Sequence, residues 1–137
     1  MTAASAAPTA FACTCNRYPV WRHLRDASLV AQMRLLQVRP PPPSPYSGSE
    51  TQYLRYRLER IYKAPPGFRE GEDVWVRYEN CNSNPYDSTE VGGSIVRFAN
   101  ASQGELWVHY CSLSLPAYRP APHELVDARR RWLESQP

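Results

Sequence analysis

Tyr53-Leu54-Arg55-Tyr56-Arg57-Leu58-Glu59-Arg60-Ile61-Tyr62-Lys63 decides the fold. Leu54, Tyr56 and Leu58 alternate with Tyr53, Arg55, Arg57 and Glu59, the period-two pattern of a strand with one face turned to a core. Between Leu58 and Ile61 the apolar phase slips by one residue, and the run then continues to Lys63. A slip of that kind marks a β-bulge, in which an extra residue bends the strand as at the corner of a barrel. The chain around this stretch should therefore supply further strands that close on it.

Upstream, Leu29, Ala31, Met33 and Leu35 alternate with Val30, Gln32, Arg34 and Leu36, which predicts a strand over 29–38 buried mainly on one face. Before it, Val20-Trp21-Arg22-His23-Leu24-Arg25 fits a short helix with Val20, Trp21 and Leu24 on one side and His23 at the surface. The two strands are joined by Arg39-Pro40-Pro41-Pro42-Pro43-Ser44-Pro45-Tyr46-Ser47-Gly48-Ser49. Prolines donate no ladder hydrogen bonds, so this stretch reads as a semi-stiff protruding hairpin tip of polyproline character, and a PxxP ligand is the alternative use of the same residues. Downstream, Ala64-Pro65-Pro66-Gly67 signals a turn, Val74 to Tyr78 a third strand, Asn82 to Asp87 a loop and Ile95 to Phe98 a fourth strand. Asn100 to Gly104 then reads as a turn leading to a fifth strand, Leu106 to Cys111. Pro122 to Leu133 has apolar residues at helical period, acid first and base last as the helix dipole prefers, and Arg129 to Arg131 as a solvated cluster near its end. Together these elements predict a mainly β domain: a five-stranded OB-fold-like Greek-key barrel with a short N-terminal helix and a C-terminal helix.

At 137 residues the chain suits one domain, taken as 13–137 behind a leader or signal remnant at 1–12. With 14 Pro and 9 Tyr it leans to strands and turns. A formal charge of +3, from 15 Arg and one Lys scattered along the chain, is no nucleic-acid footprint and reads as solvated β surface, with affinity for sulfated glycans as the side reading. No segment approaches the roughly 20 apolar residues of a membrane span. The sequence shows no nucleophile–base pattern, paired-carboxylate motif or phosphate loop, so it is not expected to be an enzyme. Asn100-Ala101-Ser102 is an N-glycosylation sequon.

The four cysteines are Cys13, Cys15, Cys81 and Cys111. An even set suits two disulfides and an oxidising compartment. Cys13 and Cys15, one residue apart, are poorly placed to pair with each other, so each should reach for Cys81 or Cys111. A zinc site using Cys with His23, His109 or His123 is the competing arrangement, but C-x-C lacks the usual C-x₂₋₄-C loop. Just before Cys13 stands Ala10-Phe11-Ala12, the small-x-small pattern that signal peptidase cuts after, although Met1 to Ala12 has neither a basic n-region nor an apolar h-region. Cleavage there would make Cys13 the mature amino terminus.

Several of these stretches, in this order and spacing, resemble a known family. They are Cys13-Thr14-Cys15, Ser28-Leu29-Val30, Tyr56-Arg57-Leu58-Glu59-Arg60-Ile61-Tyr62-Lys63, Val91-Gly92-Gly93, Gly104-Glu105-Leu106-Trp107-Val108-His109-Tyr110-Cys111 and Pro116. The family is the tissue inhibitors of metalloproteinases, specifically their netrin-like inhibitory domain, and the likeness spans nearly all of 13–137. The resemblance implies the pairs Cys13–Cys81 and Cys15–Cys111. The sequence departs from the family in lacking its third disulfide, whose first position is held by Arg25, and in having no counterpart of the cysteine-rich C-terminal domain, so a single-domain form is expected.

What the family implies for function is a secreted protein of the extracellular space or matrix that inhibits matrix metalloproteinases or related metzincins. It would need no cofactor of its own and would contact the catalytic zinc of the target protease. By that resemblance Cys13 supplies its α-amine and carbonyl to the zinc and Thr14 enters the primed specificity pocket. Cys15, Asn16, Tyr78, Glu79, Asn80 and Cys81 complete one wedge, and the proline-rich tip near Tyr46 brushes the protease rim. The alternative is a non-inhibitory netrin-like module that binds matrix or a partner, which an uncut leader would favour.

Overall fold

The computed structural model describes residues 15, 17–39, 51–79, 90–109, 111–117 and 123–137. Within them α1 (Val20–Asp26) is followed by β1 (Leu29–Arg39), β2 (Thr51–Lys63), β3 (Asp73–Glu79), β4 (Ser94–Ser102), β5 (Glu105–His109), β6 (Ser114–Pro116) and α2 (His123–Glu134). The strands run in the order β1-β2-β3-β5-β4, and β4 pairs back onto β1, which closes a five-stranded barrel of OB-fold-like topology. β3 and β5 are the parallel pair; the other pairings are antiparallel. The sixth strand, unforeseen in the sequence, pairs Ser114, Leu115 and Pro116 with Arg97, Val96 and Ile95 on the stretch of β4 that β5 does not reach.

The bulge is where the apolar phase slips. Gln32 faces Arg60 and Met33 faces Leu58, leaving Glu59 as the extra residue; a second shift skips Tyr62 between Lys63 and Ile61. Each extra residue adds bend and twist, so the 13-residue β2 can wrap a closed barrel. Glu59 is locked in place by Gln32 Nε2 at 3.1 Å, Arg34 Nε at 3.1 Å and the Ser94 hydroxyl, all donating to its carboxylate. A third shift, at Leu36 in β1, falls beside Gly92 and Gly93, whose backbone exchanges hydrogen bonds with Leu35.

Two apolar clusters result. One fills the barrel and includes Leu29, Ala31, Met33, Tyr56, Leu58, Val76, Tyr78 and Val108. The other lies outside the β1/β4 wall, where Val30, Val96 and Phe98 meet Leu24 of α1 and Leu125 and Ala128 of α2. The expectation that β1 is buried mainly on one face is therefore corrected: Leu29 to Met33 are buried on both, with Val30 beneath the helices and Gln32 bonded to Glu59. His23 is likewise half-buried rather than a surface residue, with its ring centroid 6.2 Å from that of Phe98 in an edge-on arrangement and its pKa lowered by that burial. In α2 only Leu125, Ala128 and Trp132 face the barrel, while Val126 and Leu133 are exposed. Arg129 to Arg131 are exposed, as expected of a solvated cluster, and in addition Arg129 Nε donates to the Tyr62 carbonyl at 3.0 Å and Arg131 lies 5.4 Å over Trp21.

The turn expected at 100–104 is shorter. β4 runs through Ser102, and the hairpin closes over Gln103 and Gly104, both at positive φ (53° and 78°), as a two-residue turn of type I′ requires. At the other end of the hairpin β5 stops at His109, two residues before the expected limit. There His109 N–H donates to the Ser112 hydroxyl at 2.9 Å and Ser112 N–H returns to the His109 carbonyl at 2.8 Å, so the chain turns away from the ladder. The proline-rich stretch 40–50 lies outside the described residues.

Candidate functional site

The barrel end where β3 and β5 finish holds the described residues marked by the sequence, Cys15, Tyr78 and Glu79. Their parallel register sets Tyr78 against Val108 and Glu79 against His109. Two residues beyond His109, Cys111 forms a disulfide with Cys15, with Cα atoms 5.3 Å apart, the partner that the family resemblance implied for Cys15. Cys111 N–H also donates to His109 Nδ1 at 3.2 Å, which ties the bridge to the end of β5. An exposed Cys15 is thus pinned to the terminus of one strand, directly beside the terminus of its parallel neighbour. Local sequence accounts for this: β5 ends in a turn carrying a cysteine, and β3 ends in phase with it because Val76 and Tyr78 must share the interior with Leu106 and Val108.

Tyr78 and Glu79 differ in what they offer. Tyr78 is 6% exposed and its ring faces the barrel core, so it supports the end of β3 from beneath and presents nothing outward. Glu79 faces out, its side chain 40% exposed, and pairs at 3.3 Å with Arg77, which also reaches Glu105 of β5 at 3.2 Å. That guanidinium staples β3 to β5 across the outer face. Cys13, Thr14, Asn16, Asn80 and Cys81 lie outside the described residues, as does the Cys13–Cys81 pair.

Beneath this end lies a group that strand periodicity concealed. Arg97 is 2% exposed inside the barrel; its Nε donates to the Tyr56 hydroxyl at 3.2 Å and its guanidinium lies 5.3 Å over the Tyr78 ring. Burial raises the pKa of Tyr56, with the nearby Arg97 charge opposing, so the phenol stays protonated and can accept from the arginine. A fixed cation with two phenols stiffens the interior below β3 and β5. In Ile95-Val96-Arg97-Phe98 the only signal was a charge in an inward phase.

No cluster of His, Cys, Asp and Glu that could hold a metal occurs among the described residues, and the thiols of Cys15 and Cys111 are taken up in the disulfide. Among the same residues no helix is long and apolar enough to cross a membrane. The fold and this end define a small closed β-barrel whose amino-terminal segment is covalently fastened to the rim. No family model matches the chain, and no curated protein matches it.

Proposed function

We propose that the protein is a secreted inhibitor of zinc metalloproteinases, acting through a wedge led by the α-amine of Cys13. The observation that carries this is the Cys15–Cys111 bridge at the shared end of β3 and β5, which fastens the residue two positions after Cys13 to a rigid barrel. A wedge ordered before it binds avoids the ordering cost that otherwise erodes affinity.

The chemistry follows from the open coordination position that catalytic zinc keeps for water. A neutral amine nitrogen can displace that water, and an α-amine with a pKa of about 7.7–8.0 loses its proton readily at the metal. The Cys13 carbonyl completes the chelate, Thr14 enters the primed pocket, and Asn16, Glu79 and Asn80 flank the cleft. An acylated nitrogen is a poor zinc ligand, so this mode requires removal of residues 1–12. The partners are matrix metalloproteinases or related metzincins, and the inhibitor contributes no cofactor.

The test is intact mass and amino-terminal sequencing of the secreted protein, then titration of that sample against a matrix metalloproteinase. A chain starting at Cys13 that inhibits with one-to-one stoichiometry supports the proposal. A chain starting at Cys13 that leaves the protease fully active rejects it in favour of a netrin-like binding module.

A further inference from the structure

The strand registers align one row of outward residues that runs around the closed barrel. Asn100 on β4 faces Trp107 on β5, Trp107 faces Arg77 on β3, Arg77 faces Tyr53 on β2 and Tyr53 faces Arg39 on β1. Asn100 begins the sequon Asn100-Ala101-Ser102. Its neighbour Ala99 points into the barrel core, so the Asn100 side chain points outward, and its amide has no hydrogen-bond partner among the described residues.

Trp107, like Asn100, is half-buried. It belongs to neither apolar cluster, since Leu106 and Val108 are the residues of β5 that face inward. The other three tryptophans each carry a cation on a ring face: Arg25 and Arg131 on Trp21, Arg39 on Trp75 and Lys63 on Trp132. Among the described residues no cation and no ring lies on Trp107. Directly opposite positions on antiparallel strands hold their Cβ atoms about 4.5–5.5 Å apart, so the Asn100 amide and the half-buried indole are adjacent. The next residue in the row, Arg77, has its charge met by Glu79 and Glu105, which suits a neutral sugar chain rather than a polyanion.

We propose that Asn100 is N-glycosylated and that the first N-acetylglucosamine of its glycan stacks on the Trp107 indole. The inference rests on the secretory route of the proposed function and on no other part of it. To test it, the full chain is secreted from cultured mammalian cells behind an appended cleavable leader, alongside Ser102→Ala, which removes the sequon at an exposed position. The expected result is one glycan by intact mass, and a melting temperature about 2–4 °C above that of Ser102→Ala, the scale of one aromatic contact in a domain of this size. The difference should survive trimming to a single N-acetylglucosamine and vanish in a Trp107→Leu background. A chain that emerges without glycan, or a glycan effect that is the same with and without the indole, overturns the inference. If Trp107→Leu does not fold, nuclear Overhauser contacts between sugar and indole protons in the wild type decide: their presence supports the stacking and their absence overturns it. Retention in the cell of the chain without the appended leader would count against the secretory route of the proposed function, while the leader-driven sample still decides the glycan.

Discussion

Glu59 shows how much one residue of the bulge contributes. Its burial pushes the carboxyl pKa up, but hydrogen bonds from Ser94, Gln32 and Arg34 and the Arg34 charge outweigh that and leave it below the usual value. A carboxylate with a depressed folded pKa stabilises the protein above its unfolded pKa of about 4.3, and that stability is lost as pH falls through the folded pKa. Glu59→Gln should cost about 1–3 kcal/mol at pH 7, the worth of hydrogen bonds to a charged group. Denaturant melts from pH 7 to pH 3 should show the variant's deficit shrinking below pH 4. A constant deficit would mean that the charge of Glu59 plays no part. The bulge itself was legible because it shifted an apolar pattern, whereas the three donors around Glu59 come from β1 and β4 and left no local trace. Arg97 was concealed for a similar reason, since only the placement of Tyr56 and Tyr78 on neighbouring strands gives a buried guanidinium its company.

At the scale of elements, the helices determine what the sequence could not say about β1. The periodicity of 29–38 gave a strand, but the burial of Val30 depends on α1 and α2, which pack from distant parts of the chain. β6 was illegible because three residues ending in a proline carry no period. Lys63, the last residue of β2, joins these parts: its Nζ donates to the Leu24 and Arg25 carbonyls at 2.8 and 2.9 Å, satisfying the last turn of α1, and sits 5.0 Å over Trp132 of α2. Replacing Lys63 with Met should cost about 1–2 kcal/mol by leaving those carbonyls without a donor. Leu125→Ala, which hollows the outer cluster, should cost about 2–5 kcal/mol. Urea unfolding measures both. A Leu125→Ala loss below about 1 kcal/mol would show that α2 contributes little to the fold.

For the whole molecule, the barrel order and the fastening of the amino-terminal segment are separate facts. The barrel was largely readable, because alternation in β2 and β3 and the Gly-containing turns each leave short-range patterns. The choice of cysteine partner was not readable from spacing, since four cysteines allow three connectivities and the Cys15–Cys111 pair is a contact between distant parts of the chain. The candidate site was legible only in part: the C-x-C was conspicuous, but the inward aim of Tyr78 depends on the register of β3. The Cys15–Cys111 bridge spans 96 residues of sequence, and its removal in the Cys15→Ser/Cys111→Ser variant should lower stability by about 4 kcal/mol in the loop-entropy model. Inhibition should fall further than the loss of folded protein explains, because the wedge loses its anchor. Equal losses of both would assign the bridge to stability alone.

The most direct measurement compares two otherwise identical chains in titrations of a matrix metalloproteinase, one starting at Cys13 and one carrying a single alanine ahead of it. Amide formation on the Cys13 nitrogen is then the only chemical change at the wedge. The account predicts stoichiometric inhibition by the first chain and none by the second. Equal inhibition by both would contradict zinc chelation by the α-amine.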